Sequence, residues 1–219
     1  MSTREKFELE MQHVQEDLLE LADHALAMFQ LTFEAFINKN TEQALYVMDQ
    51  DYIVNRLEEE INDKAILLIA KQQPVATDLR RLIVMVKMAA DLERIADYAV
   101  NIAKETIRIG ANPFVTSIET IEEMHHRATC MLKQIVEAYL KEKMDEAKTI
   151  ASYDDEIDAL YGDTMRHLFN IANTEQAASA QVTNLSFVAH YIERVADHVT
   201  NLAEHLLYLK KGKHYELNN

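Results

Sequence analysis

A short acidic pattern occurs twice in the chain, and its two copies lie 100 residues apart, as ERIADYAVNIA at 93–103 and ERVADHVTNLA at 193–203. Within each copy a glutamate, an aspartate and an asparagine follow one another at four-residue spacing, which places them along one side of a helix. Carboxylate and amide oxygens are suitable ligands for Mg²⁺, Mn²⁺, Ca²⁺ or iron. The sequence therefore predicts a duplicated cation site, whose candidate ligands are Glu93, Asp97, Asn101, Glu193, Asp197 and Asn201.

The second copy carries two further candidate ligands on the same face of its helix. His190 precedes Glu193 and Glu204 follows Asn201, whereas the first copy has Ala90 and Lys104 at these positions. We therefore expect the second site to bind metal better than the first.

The direction of these side chains follows from the apolar seam of the same helices. At 100° per residue, the glutamate, aspartate and asparagine lie roughly 90°, 130° and 170° from the centre of that seam. We expect the carboxylates to leave the core and to face outward, or across the groove between the two halves. An alternative is an ordinary solvated face, in which Arg94 and Arg194 pair with the neighbouring carboxylates.

The elements that carry these residues are long helices. The chain has 219 residues but only three Gly and two Pro, which favours uninterrupted helices. Apolar residues recur at spacings of three and four at both ends of the chain, as in helices packed nearly antiparallel. Breaks at turn-forming residues divide the sequence into six predicted helices at 3–38, 42–71, 75–109, 115–141, 144–172 and 175–210, with Thr41 as the expected N-cap of the second.

The repeat extends well beyond the acidic pattern. At an offset of 103, Asp51 aligns with Asp154 within a set of otherwise apolar matches. The sequence therefore predicts an all-α fold of two tandem three-helix bundles related by internal duplication. The expected units are residues 1–110 and 111–219, with Gly110–Pro113 between them.

Charge and composition exclude several classes of function. The net charge of −15 argues against a nucleic-acid partner, which needs a basic face, and favours cations or a basic protein surface. The single cysteine excludes a disulfide within the chain. We expect neither a signal peptide nor a membrane-spanning segment, and we therefore expect a cytoplasmic protein.

A second set of motifs has the Glu-x-x-His spacing of di-iron carboxylate bundles. The motifs begin at Glu10, Glu122 and Glu123. They fall in different halves and at positions that the repeat does not relate, so a di-metal redox enzyme is the less favoured alternative. It would require His13 and His125 to lie beside a common metal. A Gly-rich phosphate loop, a Ser-His-Asp arrangement and an HExxH motif are all absent from the sequence, so we expect no enzymatic activity.

Three segments together resemble the PhoU family, namely QQPVATDLR at 72–80, DLERIADYAVNIA at 91–103 and YIERVADHVTNLA at 191–203. The resemblance covers nearly the whole chain, but the second half has TEQAASA where the first has QPVATDL. It implies a cytoplasmic, often dimeric regulator that restrains the phosphate-starvation response.

The resemblance also implies partners and a cofactor. The expected partners are the ATPase of a phosphate ABC transporter and a membrane sensor histidine kinase, together with a second copy of the chain. The expected cofactor is a divalent or multinuclear metal, with iron, zinc, manganese and magnesium as candidates. Glu93 and Asp97 would serve one site and Glu193 and Asp197 the other, with Asn101 and Asn201 in support. A helical scaffold that binds no metal remains a further alternative.

Overall fold

The computed structural model describes residues 3–217, and all regular elements in that range are helical. A short 3-10 helix at Gln176–Ala178 separates the last two α-helices. The α-helices are α1 (Thr3–Asn38), α2 (Thr41–Gln72), α3 (Thr77–Ile109), α4 (Glu119–Leu140), α5 (Ala147–Ala151), α6 (Asp154–Thr174) and α7 (Ser179–Lys211). Six of these are long, which confirms the predicted all-α fold.

The predicted apolar seams form the core. Every residue of the seam at 7–28 is buried, and so is every residue of the seam at 182–206. The buried seam residues are Phe7, Met11, Val14, Leu18, Leu21, Ala25 and Met28 in α1, and Val182, Leu185, Ala189, Ile192, Ala196, Val199, Ala203 and Leu206 in α7. Their spacing of three and four is therefore the spacing of a helix face that packs against neighbouring helices.

The helices pack in two groups that meet along α3 and α7. In the first group α1, α2 and α3 contact one another, and in the second α4, α6 and α7 do so. The short α5 packs against α4 and α7. The contact between α3 and α7 brings the two copies of the acidic pattern onto neighbouring helices.

Several predicted helix boundaries differ from the observed ones, and α4 and α7 begin at Glu119 and Ser179 rather than at 115 and 175. The N-cap of α2 is Asn40 rather than Thr41, because the Asn40 side chain accepts a hydrogen bond from the backbone N–H of Gln43 at 3.1 Å. Helix α3 begins at Thr77 rather than at 75, because Ala76 has a φ of +49° and interrupts the helical backbone.

The predicted helix at 144–172 is divided into α5 and α6. The Ser152 hydroxyl, at the break, donates to the backbone carbonyl of Thr149 at 2.8 Å. A serine side chain that bonds its own backbone competes with the helical hydrogen bonds, which favours a break here. The break places Asp154 in the first turn of α6.

None of the helices in the described range is long and apolar enough to cross a membrane.

Candidate functional site

In the first half, α2 and α3 bring four carboxylates together, which we call the first acidic cluster. Its members are Asp51, Glu58, Glu93 and Asp97. Burial raises the pKa of Glu93, and so do the negative charges of Asp97, Glu58 and Asp51. Burial also raises the pKa of Asp51, followed by the charge of Asp97. Carboxylates on both helices therefore share one electrostatic environment.

In the second half, α6 and α7 form the second acidic cluster from Asp154, Asp158, Glu193 and Asp197. Asp154 is only 9% exposed. Burial raises its pKa to about 7, with further contributions from the charges of the other three members. Burial and the charge of Asp197 likewise raise the pKa of Glu193 to about 7. Burial and mutual repulsion therefore disfavour ionisation of both carboxyls in the protein as it stands.

The angular positions of about 100° per residue predicted that the carboxylates of the repeated pattern face outward or across the groove between the halves. The structure shows neither arrangement. Each copy faces a helix of its own half, with α3 against α2 and α7 against α6. The side chains of Glu93, Glu193 and Asp197 are only 22%, 18% and 17% exposed, and that of Asp97 is 35% exposed. The prediction was wrong because it considered each helix alone, and a neighbouring helix covers the face beside its seam.

The two arginines of the pattern compensate part of this charge. Arg94 donates to Asp97 at 2.8 Å and lies 3.5 Å from Glu93, and Arg194 pairs with Asp197. The arginine–carboxylate pairs expected from the alternative of an ordinary solvated face are therefore present at both aspartates of the pattern.

Other carboxylate oxygens of both clusters lack a hydrogen-bond partner. Among the described residues, the buried Oδ1 atoms of Asp51 and Asp154 and the Oε2 atom of Glu193 accept no hydrogen bond. Asp51 and Asp154 are the pair that the 103-residue offset aligns. A buried carboxylate oxygen without a donor is unfavourable unless something else stabilises its charge. In both halves, therefore, the equivalent aspartate has one carboxylate oxygen without a hydrogen-bond partner.

The halves differ in the positive charge beside the cluster. In the first half, the Lys104 ammonium donates to Asn101 Oδ1 at 3.3 Å, and its charge acts to lower the pKa of Asp51. The second half has Glu204 in place of Lys104. The second cluster therefore has no counterpart of Lys104, although Lys148 lines the cavity beside Asp154, Asp158 and Asp197.

The remaining predicted ligands of the second site lie apart from one another. Asn201 donates through Nδ2 to Asp91 of α3 at 3.2 Å, and the Glu204 carboxylate accepts from the backbone N–H of Leu217 at 2.6 Å. Both are therefore committed to other contacts. His190 does adjoin the cluster, because its Nδ1 lies 3.5 Å from Glu193 Oε2. Burial lowers the pKa of His190, followed by the charge of Arg194, which favours the neutral imidazole that metals bind.

The donor set fits a hard divalent cation in its chemistry. Carboxylate oxygens supply both the ligand type and the charge that Mg²⁺ or Mn²⁺ requires. A cavity of about 340 Å³ adjoins Asp154, Asp158 and Asp197 and gives access to the second cluster. As they stand, however, no three His, Cys, Asp or Glu side chains between residues 3 and 217 converge closely enough to hold a metal ion. The carboxylates would have to draw together around an ion that they bind.

The structure separates the histidines of the di-metal alternative. His13 lines a cavity between α1 and α2, whereas His125 stacks on Phe33 with ring centroids 3.9 Å apart. The Nε2 atom of His125 contacts the backbone carbonyl of Phe29 at 3.1 Å. Burial lowers the pKa of His125 to about 4. His125 therefore packs α4 against α1, and it does not converge with His13 on one centre.

Sequence reasoning missed the carboxylates that α2 and α6 contribute, including Asp51 and Asp154. The repeat alignment contained the relevant signal, because this pair is the charged match within an otherwise apolar set. A charged residue that recurs among core positions indicates a function for its charge.

Fold and site together define a class of protein, namely an all-α tandem repeat in which each half presents one acidic cluster. Comparison with known proteins then identifies the family. The family model described as PhoU domain matches residues 18–106 and 121–206, and the chain belongs to this family. The described helices therefore form a duplicated PhoU domain.

Similar proteins extend over nearly the whole chain. A phosphate-specific transport system accessory protein PhoU homolog from Clostridium acetobutylicum is 34% identical over 99% of this chain and 100% of its own. A Rhizobium meliloti protein of the same description is 32% identical over 94% of this chain and 87% of its own.

Solved structures share the fold at comparable coverage. The crystal structure of PhoU from Pseudomonas aeruginosa matches with a TM-score of 0.92 at 26% identity, covering 94% of this chain and 100% of that one. The phosphate transport system regulatory protein PhoU from Streptococcus pneumoniae matches with a TM-score of 0.90 at 25% identity, covering 96% and 99%.

Proposed function

We propose that this protein is a non-enzymatic accessory regulator of phosphate uptake that restrains the phosphate-starvation response. The observation that carries the proposal is the match to PhoU proteins along nearly the entire chain, because the relatives are named accessory or regulatory proteins of phosphate transport. In this proposal the protein is cytoplasmic and acts between the ATPase of a phosphate ABC transporter and a membrane sensor histidine kinase. It has no nucleic-acid partner, and it acts as a homodimer.

The two acidic clusters are the proposed cation sites of this regulator. Asp154, Glu193 and Asp197 would hold the ion in the second half, with His190 beside Glu193. Asp51, Glu93 and Asp97 would hold it in the first. The open oxygens of Asp51, Asp154 and Glu193 support this assignment, since each is buried without a donor. When bound, a divalent cation would neutralise the mutual repulsion of the carboxylates.

A deletion strain with a phosphate-starvation reporter tests the regulatory proposal. The reporter should be active in phosphate-rich medium without this protein, and the wild-type chain should silence it. A chain with Asp154→Asn and Asp197→Asn should silence it less well at equal protein level, whereas an exposed control, Asp163→Asn, should act as wild type. Full silencing by the double variant would show that regulation does not require the second cluster. A reporter that stays silent in the deletion strain would contradict the regulatory role.

A further inference from the structure

The chain reverses direction after α7 and returns along that helix. Gly212 ends α7 with a φ of +66°, and residues 213–217, which we call the strap, run back beside it. The His214 ring stacks on Tyr208 with centroids 4.3 Å apart. Tyr215 also packs against the core. The strap is therefore a docked segment with its own contacts.

The strap ends beside the cavity of the second acidic cluster. The backbone N–H of Leu217 donates to Glu204 Oε1 at 2.6 Å. Leu217 also lines the same 340 Å³ cavity as Asp154 and Asp197. Asp154 is more than nine-tenths buried, and its Oδ1 atom has no hydrogen-bond partner. Leu217 of the strap and Asp154 thus line the same cavity, and one oxygen of the Asp154 carboxylate is buried without a hydrogen-bond partner.

The first half has no equivalent arrangement among its described residues. Lys104 occupies the position of Glu204, and the chain after α3 leads into the connection to α4. There the backbone N–H of Val115 donates to Gln181 of α7 at 2.6 Å, which holds this connection against the other half. Only the second cluster adjoins a segment that uses one of its candidate ligands.

We propose that the strap and a divalent cation compete for the second acidic cluster. With the strap docked, Leu217 narrows the cavity and its N–H engages Glu204. A cation bound at Asp154 and Asp197 needs space in the cavity that Leu217 also lines, so cation binding displaces Leu217, breaks its hydrogen bond to Glu204 and releases the strap. This inference rests on the cation sites of the proposed function and adds a regulation that is confined to the second half.

The test isolates the second cluster and varies only the strap. In a chain with Glu93→Gln and Asp97→Asn, Mn²⁺ binding is measured by calorimetry, before and after deletion of residues 213–219. The deleted residues contain one lysine and one glutamate, so their side-chain charges cancel. Deletion should tighten Mn²⁺ binding by roughly fivefold, as expected when one competing hydrogen bond of ordinary strength is lost.

A pair of point variants separates the hydrogen bond from the bulk of the strap. Leu217→Pro removes the donating N–H and should tighten Mn²⁺ binding in the same direction as the deletion. Leu217→Ala keeps the N–H and should change the affinity less. Lys213→Arg, which keeps the charge at an exposed strap position, serves as the neutral control. Hydrogen exchange in the full chain gives the reciprocal readout, because Mn²⁺ should accelerate exchange of the Leu217 amide.

Each outcome bears on a different claim. If Mn²⁺ binds the second cluster equally well with and without the strap, competition is refuted while the cation site stands. Slower exchange of the Leu217 amide in Mn²⁺ would also refute competition, because it would mean that the ion fastens the strap. If the protein binds no Mn²⁺ at either cluster, both the cation sites and the strap mechanism fail.

Discussion

Asp91 of α3 and His205 of α7 form a direct polar link between the two halves, with 2.8 Å between Asp91 Oδ2 and His205 Nε2. The other carboxylate oxygen of Asp91 accepts from His198 at 2.7 Å and from Asn201 at 3.2 Å. The Asp91 side chain is only 13% exposed. One carboxylate of the first half therefore collects three donors from a single helix of the second.

This link breaks the symmetry of the repeat. The position of Asp91 is occupied by Tyr191 in the second copy, and that of His205 by Glu105 in the first. The Tyr191 ring stacks on Tyr98 with centroids 6.0 Å apart. The contact between α3 and α7 therefore has a hydrogen-bonded carboxylate at one end and a pair of tyrosines at the equivalent place at the other end. The two halves are not interchangeable in this contact.

Lowering the pH should destabilise the protein, because it protonates the Asp91 carboxylate. Burial alone would raise the pKa of this carboxyl, but hydrogen bonds from His198 and His205 outweigh burial and lower the pKa to about 2. A lowered folded-state pKa contributes stability above the unfolded value near 4, and that stability is lost as pH falls toward 2. Asp91→Asn should cost about 2 kcal/mol at pH 6 and much less at pH 2.5, as measured by urea unfolding.

The exposed Asp145, which pairs with Lys210, provides the control for Asp91. Asp145→Asn should leave the urea midpoint unchanged at both pH values, because a solvent-exposed ion pair contributes little. A cost of Asp91→Asn that stays the same at pH 6 and pH 2.5 would show that the charge of Asp91 does not stabilise the link.

Removing one charge from the second cluster should stabilise the metal-free protein at alkaline pH. The pKa of Asp154 is raised to about 7, first by burial and then by neighbouring carboxylates. A raised carboxyl pKa means that stability is fully present below about pH 4 and is lost as pH rises through 7. With a chelator present, Asp154→Asn should raise the free energy of unfolding at pH 8 by on the order of 2 kcal/mol, with little effect at pH 4.

Asp51→Asn is the matched variant in the first half. It should stabilise less than Asp154→Asn, because Lys104 already offsets the charge of Asp51. Thermal unfolding at pH 8 and pH 4 measures both effects. A loss of stability at pH 8 on replacing Asp154 would show that something in the free protein already satisfies this carboxylate.

Replacing glycine by alanine should have opposite effects on the stability of the protein at two positions. Gly212 has a φ of +66°, and a Cβ there would meet the Arg80 guanidinium at 2.7 Å, so Gly212→Ala should cost about 1 kcal/mol. Gly162 lies within α6, where a Cβ would meet only Arg166 at 3.4 Å. Gly162→Ala should therefore stabilise by about 0.5–1 kcal/mol through helix propensity. Melting temperatures that shift in the same direction would contradict the different roles of these glycines.

The sequence allowed prediction of the features that depend on periodicity. The two seams that include Leu18 in α1 and Leu185 in α7 were predicted and are buried, because a helix that buries one face must repeat apolar residues every three or four positions. The repeated carboxylates were also found from sequence, although their direction was not. The direction in which these carboxylates point depends on which helix packs beside them. The spacing of residues along one helix does not predict its neighbours.

Contacts between distant segments could not be predicted. Leu217 meets Glu204 because Gly212 reverses the chain, and Arg80 lies against Gly212 although 132 positions separate them in the sequence. These contacts depend on turn geometry and on the packing of α3 beside α7. Asn201 was predicted to support the metal site, yet it donates to Asp91, because the side of α7 that carries this amide packs against α3.

The most direct test of the account is the number of Mn²⁺ ions bound by chelator-treated protein, measured for the wild type and for two double variants. The wild type should show binding at both clusters, with the second cluster the tighter. Asp154→Asn with Asp197→Asn should abolish the tighter class and retain the weaker, and Asp51→Asn with Asp97→Asn should do the reverse, with helix content unchanged in both. Unchanged stoichiometry in both variants, or a wild type that binds no Mn²⁺, would contradict the assignment of the acidic clusters as cation sites.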